Sequence, residues 1–132
     1  MDEPVGIAIA EDGTIYIADT WNQRVQVFSK DRVYLRQWKV EMGWMDSSGE
    51  TQGIDNKPYI AVDKQGRVYI TDPQQYRVIV YRNDGTELLN FGNYGPEPNN
   101  FALPTGIAVD KEGNIYVADT DNHKIMKFGP IQ

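Results

Sequence analysis

The sequence predicts an all-β chain built as three blades of a propeller-like array. One pattern is written three times: the run from Gly6 to Thr20 (GIAIAEDGTIYIADT) returns from Gly106 to Thr120 (GIAVDKEGNIYVADT) and, altered, from Tyr59 to Pro73 (YIAVDKQGRVYITDP). A strand-rich repeat of this length is the signature of a propeller-type array. The strand segments are also apolar at nearly every position, as in Ile7, Ala8, Ile9 and Ala10. A sheet with one wet face would alternate, whereas continuous apolarity requires both faces to be covered, as they are when small sheets stack on copies of themselves.

The copies align on the turn glycines Gly13, Gly66 and Gly113, at spacings of 53 and 47 residues. Each copy opens with a strand: Ile7 to Ala10, Ile60 to Asp63, or Ile107 to Asp110. A tight turn ending in the aligned glycine follows, because glycine takes positive φ at no steric cost. The second strands are Ile15 to Ala18, Val68 to Thr71 and Ile115 to Ala118, and the third are Val25 to Phe28, Val78 to Tyr81 and Ile125 to Phe128. All are rich in β-branched and aromatic residues. Fourth strands are predicted at Val33 to Trp38 and Glu87 to Phe91, while only Gly129 to Gln132 follow Phe128. The blades therefore span roughly 4–40, 57–92 and 104–129 of a single 1–132 domain.

The string from Pro104 to Ile125 (PTGIAVDKEGNIYVADTDNHKI) resembles the NHL repeat. Pro4 to Phe28 is similar, with Asn22 and Arg24 in the expected places; the middle copy departs, with Tyr59 for Gly, Pro73 for Thr and Gln75 for Asn. The resemblance implies four-stranded blades around a central channel, usually six of them. It also implies a platform that binds proteins, small ligands or RNA, and some similar propellers are enzymes. Since propellers close with about four to eight blades, three blades leave two apolar end faces. The expectation is a homodimer in which two half-propellers close one six-bladed ring.

Composition narrows the partners. The formal net charge is -6, which works against nucleic acid, whose binding rests on Lys and Arg neutralising phosphates. An RNA-binding NHL domain is therefore the weakest reading. No apolar run reaches membrane-spanning length, Met1 to Pro4 do not read as a signal peptide, and cysteine is absent. These features read as a soluble chain and leave its compartment open.

In a four-stranded meander the turn between strands two and three lies on the same face as the link to the next blade. That parity gathers the residues that differ between copies: Trp21, Gln74 and Asp121 are equivalents, as are Gln23, Tyr76 and His123. The link from Lys39 to Lys57 adds Trp44, and the link from Asn93 to Leu103 adds Tyr94 and Phe101. Loop aromatics act as contact anchors, so Trp21, Gln23, Trp44, Gln74, Tyr76, Asp121 and His123 are the binding-face candidates. An aromatic just before the blade's proline fits the repeat itself, so Phe101 is expected to plug an inter-blade crevice.

The charges shared by every copy read as structural. Asp19, Asp72 and Asp119 are each followed five residues later by Arg24, Arg77 or Lys124. A carboxylate at a strand end fixes the turn and pairs with the base entering the next strand. His123 is the sole histidine, too few for a zinc site. Calcium needs oxygen ligands alone, and Asp55, Asn56, Asn99 and Asn100 are the candidate set. The expected function is a non-catalytic scaffold binding a protein or small ligand, without a cofactor. The alternative is a calcium-dependent, lactonase- or esterase-like hydrolase.

Overall fold

A computed structural model describes residues 4–19, 22–40, 58–95 and 100–131. They form three antiparallel meanders. The first sheet joins β1 (Pro4–Ile9), β2 (Ile15–Asp19), β3 (Arg24–Phe28) and β4 (Tyr34–Lys39) in sequence order. The second joins β5 (Ile60–Val62), β6 (Val68–Asp72), β7 (Arg77–Tyr81) and β8 (Glu87–Phe91). The third holds β9 (Pro104–Val109), β10 (Ile115–Asp119) and β11 (Lys124–Phe128), three strands among the described residues rather than four.

Every predicted strand is present, with bounds shifted by a few residues. The inner strands β1 and β9 start at the proline before the glycine, and β4 runs Tyr34–Lys39. The turn glycines take the positive φ their place requires: 91° at Gly13, 83° at Gly66 and 91° at Gly113.

The blades stack face to face. At the first joint Tyr16, Ala18, Val25 and Val27 of one blade bury against Ile60, Val68, Ile70, Ile79 and Tyr81 of the next. At the second, Tyr69, Val78 and Val80 bury against Ile115 and Val117, with Phe101 fully enclosed beside them. The first strands of the three blades, β1, β5 and β9, lie side by side. Gly6 makes this approach close: a Cβ there would lie 3.0 Å from Ile60 Cγ2.

The expectation that both faces of each sheet are covered holds for the middle blade and fails at the ends. Ile7 and Ile9 are 63% and 64% exposed, although their equivalents Ile60 and Val62 sit in the first joint. On the other end face Ile125 is 76% exposed where Val25 and Val78 are fully buried. The apolar runs are set by the repeat, and the two outer faces keep the residues of a joint without a neighbouring blade.

Candidate functional site

The face predicted by parity forms as expected. The turns between the second and third strands of each blade and the inter-blade links bond to each other: Val40 N–H donates to Gln23 O at 2.8 Å, and Thr120 N–H to Leu103 O at 3.0 Å. At the second joint Asn122 Nδ2 donates to Gly95 O at 3.3 Å.

Gln23, Tyr76 and His123 all adopt left-handed backbone, with φ of 48°, 55° and 53°. Glycine is the easy residue for such a conformation. Each blade instead places a different large side chain there. Tyr76 meets Tyr94 of the following link, with ring centroids 4.7 Å apart. Tyr94 is 67% exposed. His123 and Asp121 are also exposed and flank Asn122, which reaches back to the Tyr94–Gly95 turn. The result is a strip from Tyr76 through Tyr94 to Asn122 and His123. It offers an aromatic step and one imidazole, joined through Asn122, whose amide is held by Gly95 and Asp119.

The link beneath the strip is tightly held. Phe101 N–H donates to Asn93 O at 2.7 Å and Gly95 N–H to Phe101 O at 3.0 Å. The Phe101 ring is 0% exposed and packs at 5.9 Å from Phe128, so it plugs the crevice as expected. Gly92, at φ 109°, leaves room for it: a Cβ would come within 2.5 Å of the ring.

Of the other candidates, Trp21, Trp44, Asp55, Asn56, Asn99 and the side chain of Gln74 lie outside the described residues. Asn100 turns its amide toward Gly95, where Nδ2 lies 3.3 Å from the place of a Cβ. Among the described residues no group of three or more His, Cys, Asp or Glu could hold a metal ion.

The recurring acids are structural in all three blades, but not by one arrangement. Asp19 and Asp72 are fully buried and accept from Arg24 Nε and Arg77 Nε, each at 2.8 Å. Asp19 also accepts from Asn22 and Gln26. The expected Asp119–Lys124 pair is absent among the described residues. Asp119 accepts instead from Leu103 N–H at 2.8 Å, Ala102 N–H at 3.0 Å and Asn122 Nδ2 at 2.7 Å. The short link before the third blade delivers two backbone donors to the carboxylate, which makes a cation unnecessary.

A second recurring acid escapes notice in the sequence because the first copy lacks it. Asp63 accepts from Arg67 Nε at 2.6 Å, from Tyr69 Oη at 2.7 Å and from the N–H groups of Gln65 and Arg67. Asp110 does the same with Asn114 and Tyr116. Burial pushes the Asp63 carboxyl up, but the donors from Tyr69 and Arg67 outweigh it and hold the group below its ordinary value. The Tyr69 hydroxyl moves the opposite way, pushed up by burial and by donating to the Asp63 carboxylate. The signal was available as an acid followed six residues later by a tyrosine.

The NHL repeat family profile matches residues 1–28 and 101–128, the first three strands of blade one and all of blade three. Blades one and three are NHL repeats. No curated protein matches the chain. Among solved structures, the chain is similar to a streptogramin B lyase, with TM-score 0.65 and 14% identity over 98% of the chain and 41% of the lyase. It is similar to a gluconolactonase from Xanthomonas campestris, with TM-score 0.57 and 15% identity over 90% of the chain and 35% of that protein. A calcium-binding protein, regucalcin, from Agrobacterium tumefaciens gives TM-score 0.61 and 17% identity over 96% of the chain and 45% of its own. The chain thus spans about two fifths of the length of these β-propeller proteins.

These likenesses correct the expectation that the chain is not an enzyme. Its fold is shared with proteins named as a lyase and a gluconolactonase. The lone histidine and the structural use of the repeated acids leave open the side chains that differ between blades, and chemistry on a shared fold is carried by such side chains.

Proposed function

We propose that this NHL-repeat chain acts on a small-molecule ligand, as a lactonase- or esterase-like propeller, with the ligand on the Tyr76–Tyr94–His123 strip. The observation that carries the proposal is that strip, where the exposed Tyr94 ring packed on Tyr76 and the exposed His123 share one face, their loops tied by the Asn122–Gly95 hydrogen bond. Aromatic surface anchors a ligand's apolar body. An imidazole is the usual proton carrier in acyl and ester chemistry. The enzymes of similar fold agree with this reading.

The test is hydrolysis of a simple δ-lactone and of p-nitrophenyl acetate, with and without added calcium. His123→Ala is expected to lower kcat by about 10²-fold, the lower end for a lost general acid or base. Tyr94→Ala is expected to raise KM several-fold while the fold is kept. Turnover absent under all conditions, or unchanged in His123→Ala, would remove the proposal.

We propose further that two chains close one six-bladed ring. The support is a knob and a socket left open at the two ends. At the first joint Ile60 Cγ2 fills the space beside Gly6. Its equivalent Ile7 is 63% exposed, and Gly106, the equivalent of Gly6, has only Ala118 Cβ of its own blade, at 3.9 Å, beside its Cβ position. Ile7 of one copy is suited to the Gly106 socket of the other. Light scattering is expected to give twice the chain mass, falling to one chain mass in Gly106→Val. A monomeric wild type would refute the ring.

A further inference from the structure

On the opposite face, the turns of blades one and two enclose a cavity of about 550 Å³, lined by Ala10, Thr14, Tyr16, Leu35, Arg36 and Lys64 among others. At the second joint the matching space is divided, about 470 Å³ beside Arg67, Leu88 and Leu89 and about 220 Å³ beside Asp110 and Pro130. What sets the first crevice apart is the second recurring acid. In blade two that place is filled by Asp63 and Arg67, and in blade three by Asp110 and Asn114; blade one has Ala10 and Thr14.

The backbone around the gap is the same in all three blades. Ala10 N–H donates to Thr14 O at 2.8 Å, as Asp63 N–H does to Arg67 O and Asp110 N–H to Asn114 O, each at 3.0 Å. The glycine closing each turn repeats as well, with Gly13, Gly66 and Gly113 donating to residues 10, 63 and 110. The turn is therefore built to present a carboxylate to a tyrosine hydroxyl, and blade one keeps the tyrosine without the carboxylate. Asp12 takes over the Thr14 N–H at 2.9 Å but lies at the exposed tip of the turn.

Blade one adds a cation that its sister lacks. Tyr16, Val27 and Arg36 are paired across β2, β3 and β4, so they stand in one row on the cavity side. The same row in blade two runs Tyr69, Val80 and Leu89. Arg36 Nε donates to Asn83 O across the crevice at 2.7 Å, which fixes the guanidinium. The fork has further donors of the geometry that suits a carboxylate. Burial raises the Tyr16 hydroxyl above its ordinary value and the nearby Arg36 opposes it, so the two groups act on one another. Of the acids at the rim, Asp63 is already satisfied by Arg67 and Tyr69, Asp12 is held by Thr14, and Glu11 is exposed opposite Lys64.

The geometry points to a binding site for a small organic acid, whose carboxylate occupies the place of the missing aspartate between Tyr16 and Arg36, with its apolar body against Leu35. This site is separate from the proposed ligand strip and does not depend on it.

The probe is benzoate at 10 mM against benzamide and sodium chloride at matched concentration, followed by melting temperature. A ligand that binds only the folded state raises stability, and at about ten times Kd the rise is roughly 4–6 °C for a chain of this size. Benzoate alone is expected to give it. Arg36→Leu copies blade two at that position and is expected to fold and lose the shift. Ala10→Asp rebuilds the internal carboxylate, so it is expected to melt higher than the wild type without ligand and to show no benzoate shift. An equal shift with benzamide or salt, no shift in the wild type, or an undiminished shift in Ala10→Asp would each overturn the site.

Discussion

Phe101→Ala is expected to destabilise the chain by about 3–5 kcal/mol, the range for truncating a fully buried aromatic. The ring is 0% exposed, lies against Phe128, and shares its cluster with Tyr69, Val78, Val80, Ile115 and Val117. Gly92 lies close against the ring, where a Cβ would come within 2.5 Å of it. For a domain of this length the loss corresponds to roughly 10–20 °C in Tm. The control is Tyr94→Ala, seven residues earlier on the same link and largely exposed; it is expected to change stability by about 0.5 kcal/mol or less. Urea unfolding of both variants checks the contrast. A cost below about 1.5 kcal/mol for Phe101→Ala would mean that the second joint is held by the sheets alone.

That contrast bears on the ligand strip. Phe101 and Tyr94 are aromatic residues on one link; the sequence assigned Phe101 to the crevice from its place before a repeat proline and left Tyr94 out of the binding-face candidates. The buried plug lets the exposed ring stand at a fixed height beside Tyr76. Rigid support under a binding residue lowers the ordering cost of contact. If Phe101→Ala weakens ligand binding more than its stability loss explains, the link positions Tyr94.

The parts of the fold legible in the sequence are those that every copy repeats: the strands, the turn glycines at positive φ, and the Asp19–Arg24 and Asp72–Arg77 pairs. Features present in two copies were harder to see. Asp63 and Asp110 looked like strand ends because the first copy has Ala10 there. Their partners Tyr69 and Tyr116 lie across a turn, where spacing alone does not show contact. Asp119 changed partners for a related reason, since its donors come from the preceding link rather than from the repeat. That two apolar end faces stay open followed from the count of three blades, but which residues carry them, Ile7 and Ile125, did not, because their identities are those of buried residues in the middle blade. The side chains that differ between blades were named from parity, and the left-handed backbone shared by Gln23, Tyr76 and His123 became apparent only in the structure.

Asp63→Ala is expected to cost about 3 kcal/mol, more than a neutral hydrogen bond, because it strands an arginine and a buried tyrosine hydroxyl together. Tyr69 is fully buried and Arg67 has a side chain 17% exposed, so water replaces the lost carboxylate poorly. Blade one shows how the position can be emptied without this penalty, since Ala10 is accompanied by Thr14 rather than an arginine. Asp63→Ala with Arg67→Thr should therefore recover part of the loss, while Asp63→Ala alone should not. The same carboxylate sets an acid limit. Its folded pKa lies below the ordinary value of 3.8, so its contribution is full above that value and is lost as pH falls through the folded one. The wild type should lose stability below about pH 4 more steeply than Asp63→Asn, whose side chain keeps its shape without the charge. Guanidinium unfolding between pH 7 and pH 2.5 measures both slopes. Equal slopes would assign the acid sensitivity to other carboxylates, with Asp110, also held low by its hydrogen bonds, the next to test.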